Sequence, residues 1–457
     1  MTARPFGWID ILRLGLVQAC LGSIVVLTTS TLNRVMVVEL ALPALLPGVL
    51  VALHYLVQIV RPRMGFGADV GGRCTPWIVG GMATLAVAGV SASVATAWMG
   101  VNAPAGMAMA FIAFLLIGLG VSASGTSLLV LLAKRVEPHR RGAAAAIVWL
   151  MMIAGFAITA GTVGVQLEPY SPGRLVEVTA YVAAIAFAIT CVAMARLEDA
   201  ASAAAPHQGQ SPLRFRAALA QVWADPAARR FTVFVFVSML AYSSQDLILE
   251  PFAGTVFGLT PGGSTRLAGV QHAGVFAGMV VVALATNGYR GYRLGSLRAW
   301  TIGGCMASAV ALAALVLAGL IGPGWPLREN VFLLGVANGA FSIGAIGSMM
   351  GLAGEGGGSQ EGTRMGLWGG AQAVAFGLGG LVGTGASDLS LLLLGSPGVA
   401  YAAVFAMEAG LFLVAAALAA RIGGAARGHT AEPVHCTARD NGHPGQIIHL
   451  RESRQQS

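Results

Sequence analysis

Long apolar runs, broken by short polar segments, set the pattern of this chain. A run of about 20 residues is what a helix needs to cross a hydrocarbon core roughly 30 Å thick. Twelve such runs fall at 14–38, 43–60, 76–99, 105–133, 142–166, 175–196, 231–254, 264–286, 297–321, 330–353, 365–387 and 398–421. None alternates apolar with polar residues as a barrel strand does, and unpaired backbone groups are costly in lipid, so each run is predicted to be an α-helix. The expected fold class is all-α: a polytopic membrane protein with twelve transmembrane helices.

Composition supports this and charge orients it. Of 457 residues, 56% are hydrophobic, 10% are charged and 63 are glycine, which no ordinary soluble domain matches. With the N-terminus inside, 23 of the 27 Lys and Arg residues lie in inner segments, and only Arg174, Arg266 and Arg328 in outer connections. Short cytoplasmic connections collect positive charge, so both termini are expected in the cytoplasm. The net charge of +8 is then a topology signal on the face that meets anionic lipid, and nucleic acid is not an expected partner. The first apolar run is too long for a cleavable signal peptide and leads into another span. Cysteines 20, 74, 191, 305 and 436 show neither a disulfide framework nor a zinc spacing.

A polar stretch divides the spans six and six. The expected division is a first half at 1–196, a cytoplasmic linker at 197–230, a second half at 231–422 and a disordered tail at 423–457, which holds His429, His435, His443 and His449. Within the linker, RFRAALAQVWADP at 214–226 reads either as an amphipathic surface helix or as a solvated connection. Two six-helix halves resemble a major facilitator transporter. So does GFGADVGGR at 65–73, which matches that superfamily's loop pattern at Gly65, Asp69, Gly72 and Arg73. Its glycines permit a tight turn, and its Asp can cap a helix or pair with a basic loop, forming a latch that works as the halves rock. A weaker copy, GYRGYRLGS, stands 223 residues later, and LNRVMVVE at 32–39 aligns with SSQDLILE at 243–250; together they indicate an internal duplication.

The chemistry-bearing residues are the polar ones inside apolar runs, since ionisable groups there are costly and face a partner or a cavity. In span 1 these are Asn33, Arg34 and Glu39; in span 7, Gln245, Asp246 and Glu250; elsewhere, His54, His272 and Glu408. Arg34 and Glu39 are five apart, about 140° around an α-helix, so they are not expected to pair; Asp246 is the expected partner of Arg34. An alternative has Arg34 and Glu39 snorkelling to the interface. Each histidine suits either a metal-type ligand or a hydrogen bond between helices. No nucleophile-base pair, HExxH, Walker loop or dinucleotide fingerprint occurs, so an enzyme is not expected.

Four stretches carry a more specific resemblance: TLNRVMVVEL at 31–40, QDLILEPFAGTVFGLTPG at 245–262, GTRMGLWGGAQAVAFGLGG at 362–380, and VFAMEA around Glu408. Together they resemble the PucC/LhaA-type bacteriochlorophyll delivery family, a branch of the major facilitator superfamily. The resemblance implies a light-harvesting complex assembly factor in the cytoplasmic membrane or its intracytoplasmic extensions. It implies bacteriochlorophyll as cargo, antenna polypeptides and pigment-synthesis enzymes as partners beside membrane lipid, and no metal or nucleotide cofactor. A magnesium macrocycle needs an apolar groove and one axial ligand, for which His54, His272, Asn33 and Gln245 are the candidates. The other reading is a proton-coupled secondary transporter working through Asp69, Asp246 and Glu408.

Overall fold

The computed structural model describes residues 6–58, 73–198, 223–287, 294–355 and 361–422. The described residues form twelve helices and no strand. In chain order these are α1 Trp8–Glu39, α2 Leu45–Val57, α3 Thr75–Met99, α4 Ala103–Arg135, α5 Arg141–Gln166, α6 Pro172–Met194, α7 Pro226–Phe257, α8 Pro261–Asn287, α9 Leu297–Ile321, α10 Leu327–Glu355, α11 Glu361–Leu394 and α12 Pro397–Ile422. Eleven are long and apolar enough to cross a membrane. The second expected span, 43–60, is a helix of only 13 residues, and residues 59–72 lie outside the described ones. The fold is all-α and multi-pass.

Local chemistry fixes the helix starts. Asn102, Ser171, Asp225 and Ser296 each accept a hydrogen bond from a backbone N–H of the turn they open. Asp225 caps α7, so the expected end of the linker at residue 230 lies inside that helix. The motif residues Gly65, Asp69 and Gly72, most of the linker, residues 288–293 of the weak copy and the tail all lie outside the described residues.

α1 departs from regular helix. Residues 27–31 and 35–39 form wide π turns, with Leu32 N–H donating to Leu27 C=O and Leu40 N–H to Val35 C=O, each five residues back. The sequence supplies a cause. Thr28 and Thr29 both donate their hydroxyls to the carbonyl of Val25, at 2.8 and 3.0 Å, and so compete for an acceptor of the helical ladder.

The first six helices bury most of one core, with Leu14, Ile24, Ile78, Leu85 and Phe114; the last six bury another, with Phe234, Leu312, Phe341, Phe405 and Phe412; and a third cluster joins Ile153 of α5 to Val275 and Met279 of α8. The seam between them is made by α5 on α8, α2 on α11, and α1 on α7. Glycines let backbones meet where lipid gives no hydrophobic drive to association. At Gly155, an added Cβ would stand 2.6 Å from the Ala19 carbonyl oxygen and 2.9 Å from the Ala19 Cα, both backbone atoms that cannot rotate away. At Gly410 the same Cβ meets nothing within 4 Å.

Gly155→Val is therefore expected to push α1 from α5 and destabilise the purified protein by about 1–3 kcal/mol or more, whereas Gly410→Val leaves it unchanged. Thermal unfolding in detergent measures both, and equal melting temperatures would mean that the α1–α5 approach is not tight.

Candidate functional site

Span 7 contains a proline inside its helix, Pro251. Proline has no N–H, so the carbonyl four residues back, that of Leu247, loses its helical donor. Asn33 of α1 replaces it: its Nδ2 donates to Leu247 O at 2.5 Å, across the seam. The next residue grips the end of the same helix. α7 closes on Gly258 in the left-handed conformation, and Arg34 Nη2 donates to the carbonyl of Leu259 just beyond, at 2.6 Å. Gly254 makes room, since a Cβ there would lie 3.0 Å from that nitrogen. Asn33 and Arg34 thus hold the last third of α7.

Two sequence expectations are corrected here. Arg34 does pair with Glu39, Nη1 to Oε1 at 2.5 Å. The spacing argument assumed a regular α-helix; the π turn at 35–39 is wider, and brings the fifth residue back over the first. Arg34 is not paired with Asp246, and among the described residues Asp246 forms no ion pair. The snorkelling alternative fails for Arg34, whose side chain is 3% exposed, while Glu39 at 35% reaches toward the surface. Tyr170, in the turn after α5, lies close to this pair. Partial burial raises its hydroxyl pKa, the Glu39 charge adds to the rise, and the Arg34 charge opposes it.

Deeper in the seam Glu250 is buried and bonded to the hydroxyl of Ser30, with Thr265 donating to its other oxygen at 3.5 Å and bonded in turn to Thr31 at 3.2 Å. At the same end the Asp388 carboxylate accepts from the N–H groups of Ala44 and Leu45 at 3.0 and 2.8 Å, so a residue of α11 caps α2. Glu168 likewise bridges to Arg266 at 3.0 Å and to Thr260 at 2.7 Å. These hydrogen bonds between the halves all lie toward one end, opposite the one where the chain enters. That end of the seam is closed.

Further along the seam stands an aromatic group. The rings of Tyr55 and Phe376 are 5.2 Å apart across α2 and α11, and Phe376 meets Tyr242 of α7 at 6.0 Å. Asp246 follows Tyr242 by one turn, half-buried, and stands near enough to His272 of α8 for their charges to interact. His272 packs on Phe156 of α5 at 5.0 Å, and its Nδ1 lies 2.8 Å from the carbonyl of Ala268. Only a protonated Nδ1 can make that bond, so the neutral ring carries its lone pair on Nε2. His54 differs: its Nε2 accepts from the Gln58 amide at 2.9 Å. Among the described residues no three His, Cys, Asp or Glu side chains gather as a metal group.

The remaining candidates are elsewhere. Gln245 and Glu408 are fully buried in the second half and without hydrogen bonds among the described residues. They stand at a similar level on neighbouring helices. Phe252 of α7 touches Tyr401 of the antiparallel α12, with rings 5.5 Å apart, and both polar residues stand two turns from that contact in the same direction. Arg73 stands at the start of α3, away from the seam. Sequence reasoning passed over Ser30, Thr265, Asp388, Tyr55, Tyr242 and Phe376. The signals were present: a proline inside a span, an Asp near the end of α11, and tyrosines in mid-span rather than at the interface.

A family model described as PUCC protein matches residues 31–426. The "Bacteriochlorophyll synthase 44.5 kDa chain" of Rhodobacter capsulatus is 52% identical over 427 residues, covering 93% of this chain and 98% of that protein. "Protein PucC" of the same species is 30% identical over 436 residues, covering 90% and 91%. Among solved structures, a variant of the nucleoside transporter NupG has a TM-score of 0.65 at 14% identity, covering 91% of this chain and 100% of its own. A proton-dependent oligopeptide transporter has a TM-score of 0.64 at 14% identity, covering 91% and 98%. Likeness at that identity shows the fold alone, which is of the major facilitator type.

Asn33→Ala strands the Leu247 carbonyl and is expected to destabilise by about 1–3 kcal/mol, the cost of a buried unpaired polar group. Pro251→Ala restores a backbone donor to the same carbonyl, so the double variant should recover most of the loss. A double-mutant cycle on thermal stability in detergent checks this; strictly additive changes would show that Asn33 and Pro251 do not act on one carbonyl.

Proposed function

The chain belongs to the PUCC protein family, and from that premise we propose that it is a light-harvesting assembly factor that binds bacteriochlorophyll at the seam between its halves and delivers it to antenna polypeptides. The observation that carries the reading is His272: the bond from Nδ1 to Ala268 leaves Nε2 as the ligand nitrogen, at the seam and against Phe156. A bound bacteriochlorophyll supplies its own magnesium, which takes an axial nitrogen. Tyr55, Phe376 and Tyr242 offer ring faces suited to a planar macrocycle. The name of the 52% identical relative contains bacteriochlorophyll, in keeping with that cargo. It also contains synthase; we read this chain as handling pigment rather than making it, in line with its transporter fold.

The reading places the protein in the cytoplasmic membrane or its intracytoplasmic extensions, with both termini cytoplasmic, from the arginine distribution. The closed end of the seam then faces outward and pigment reaches His272 from the cytoplasmic or lipid side. Asp246, half-buried beside His272, favours a second reading, a proton-coupled transporter of another small solute.

His272→Leu is expected to lower the bacteriochlorophyll that co-purifies from pigmented membranes several-fold at unchanged protein abundance. His54→Leu should leave it near the wild-type level, because that ring is committed to Gln58. Absorption spectroscopy of the purified variants measures this. Wild-type pigment content in His272→Leu would remove axial ligation by that residue, and a colourless wild type that moves solute with protons in vesicles would favour the second reading.

A further inference from the structure

At the end of the bundle where the chain enters, α3 and α6 flank an open groove of about 560 Å³. Arg73, Thr75, Arg196 and Glu198 line its mouth; Val79, Cys191 and Met194 line its length. The Glu198 carboxylate is spent: it accepts from the Cys74 and Thr75 N–H groups at 3.0 and 2.8 Å and from the Thr75 hydroxyl at 2.8 Å, closing the N-terminus of α3. The two guanidiniums are not. Arg73 has a single long contact, 3.4 Å to the Glu198 carbonyl, and Arg196 forms no hydrogen bond among the described residues. Among the described residues the mouth therefore carries two guanidiniums against one carboxylate, a net positive charge above an apolar trough.

Two further features set its character. Trp77 and Val192 beside the groove are exposed, and a Trp at a span end sits at headgroup depth. Arg196 has a φ of 55°, the left-handed region that a side-chain-bearing residue avoids at a cost of roughly 1–2 kcal/mol. Arg13 holds that turn in place, donating to the carbonyls of Ala193 and Ala195 at 2.9 and 2.5 Å. The chain is thus fixed in a strained turn that presents Arg196 at the groove.

The geometry points to a binding site for an anionic phospholipid, with its phosphate between Arg73 and Arg196 and an acyl chain along Val79, Cys191 and Met194. Basic pockets between membrane helices take such headgroups, and the apolar trough selects a lipid over a small anion. The site is separate from the seam that holds His272.

The test uses the full chain in lipid nanodiscs, titrated with phosphatidylglycerol and phosphatidylcholine. Wild type should bind phosphatidylglycerol saturably and more tightly than phosphatidylcholine. Arg73→Gln with Arg196→Gly should weaken it about 30-fold, the equivalent of ~2 kcal/mol. Glycine accepts the left-handed φ, so Arg196→Gly alone should keep or raise the melting temperature while losing affinity, which separates lost binding from lost folding. Cys191→Trp, which fills the trough without changing charge, should weaken binding too. Equal affinity for the two lipids, or unchanged phosphatidylglycerol binding in both the arginine and the tryptophan variants, overturns the site. Full displacement of the lipid by excess inorganic phosphate would make it a small-anion site and overturn the lipid assignment.

Discussion

The closed end of this molecule depends on one missing hydrogen. Pro251 removes the donor of the Leu247 carbonyl in the last third of a membrane helix, where no lipid group can replace it. Asn33 of the opposite half supplies the replacement. A defect in one helix is thereby made into a bond between halves, and it fixes the register of α1 on α7. Once that register is set, Arg34 falls at the end of α7, Ser30 at Glu250 and Thr31 at Thr265, so the neighbouring polar contacts follow from the first.

α1 meets these demands by giving up regular helix. A straight α-helix would aim Glu39 away from Arg34 and leave a cation in the seam without a carboxylate. The π turns at 27–31 and 35–39 bracket Asn33 and Arg34 and rotate their flanks so that one short stretch serves Glu250, Leu247, Leu259 and its own Glu39. Single π turns inside α-helices recur at functional positions for this reason. Here the threonine hydroxyls on the Val25 carbonyl help to open the first of them.

How much of this could be read from sequence follows from which signals are local. Apolar length and arginine placement depend on neighbouring residues alone, and they gave the all-α, multi-pass architecture. Asn33, Arg34, Gln245, Asp246 and Glu250 were marked as unusual because a polar residue in a span is conspicuous wherever it points. Their partners were not legible. Pairing Arg34 with Asp246 assumed that equal positions in a duplicated chain face each other, and separating Arg34 from Glu39 assumed 3.6 residues per turn; the π turns broke the second assumption, and the end of α7 attracted Arg34 instead. Asp388 was missed because its role lies in the free N–H groups of a helix 343 residues away in sequence.

A seam between two halves can be held by hydrogen bonds or by apolar side chains, and water acts differently on the two. Parting the halves at the closed end would expose the Leu247 carbonyl, Glu250 and Arg34 together, and each would be stranded in a dry gap. In a cleft that floods, however, water takes over these bonds one for one, and the net cost of each exchange falls to about 0.5–1.5 kcal/mol. Apolar contacts have no such substitute, since water makes their loss more costly. The hydrogen bonds between the halves gather at one end of the seam, whereas Ile153 of α5 shares a buried apolar cluster with Val275 and Met279 of α8 elsewhere along it. The hydrogen-bonded end is therefore the part of the boundary whose contacts water can replace at least cost.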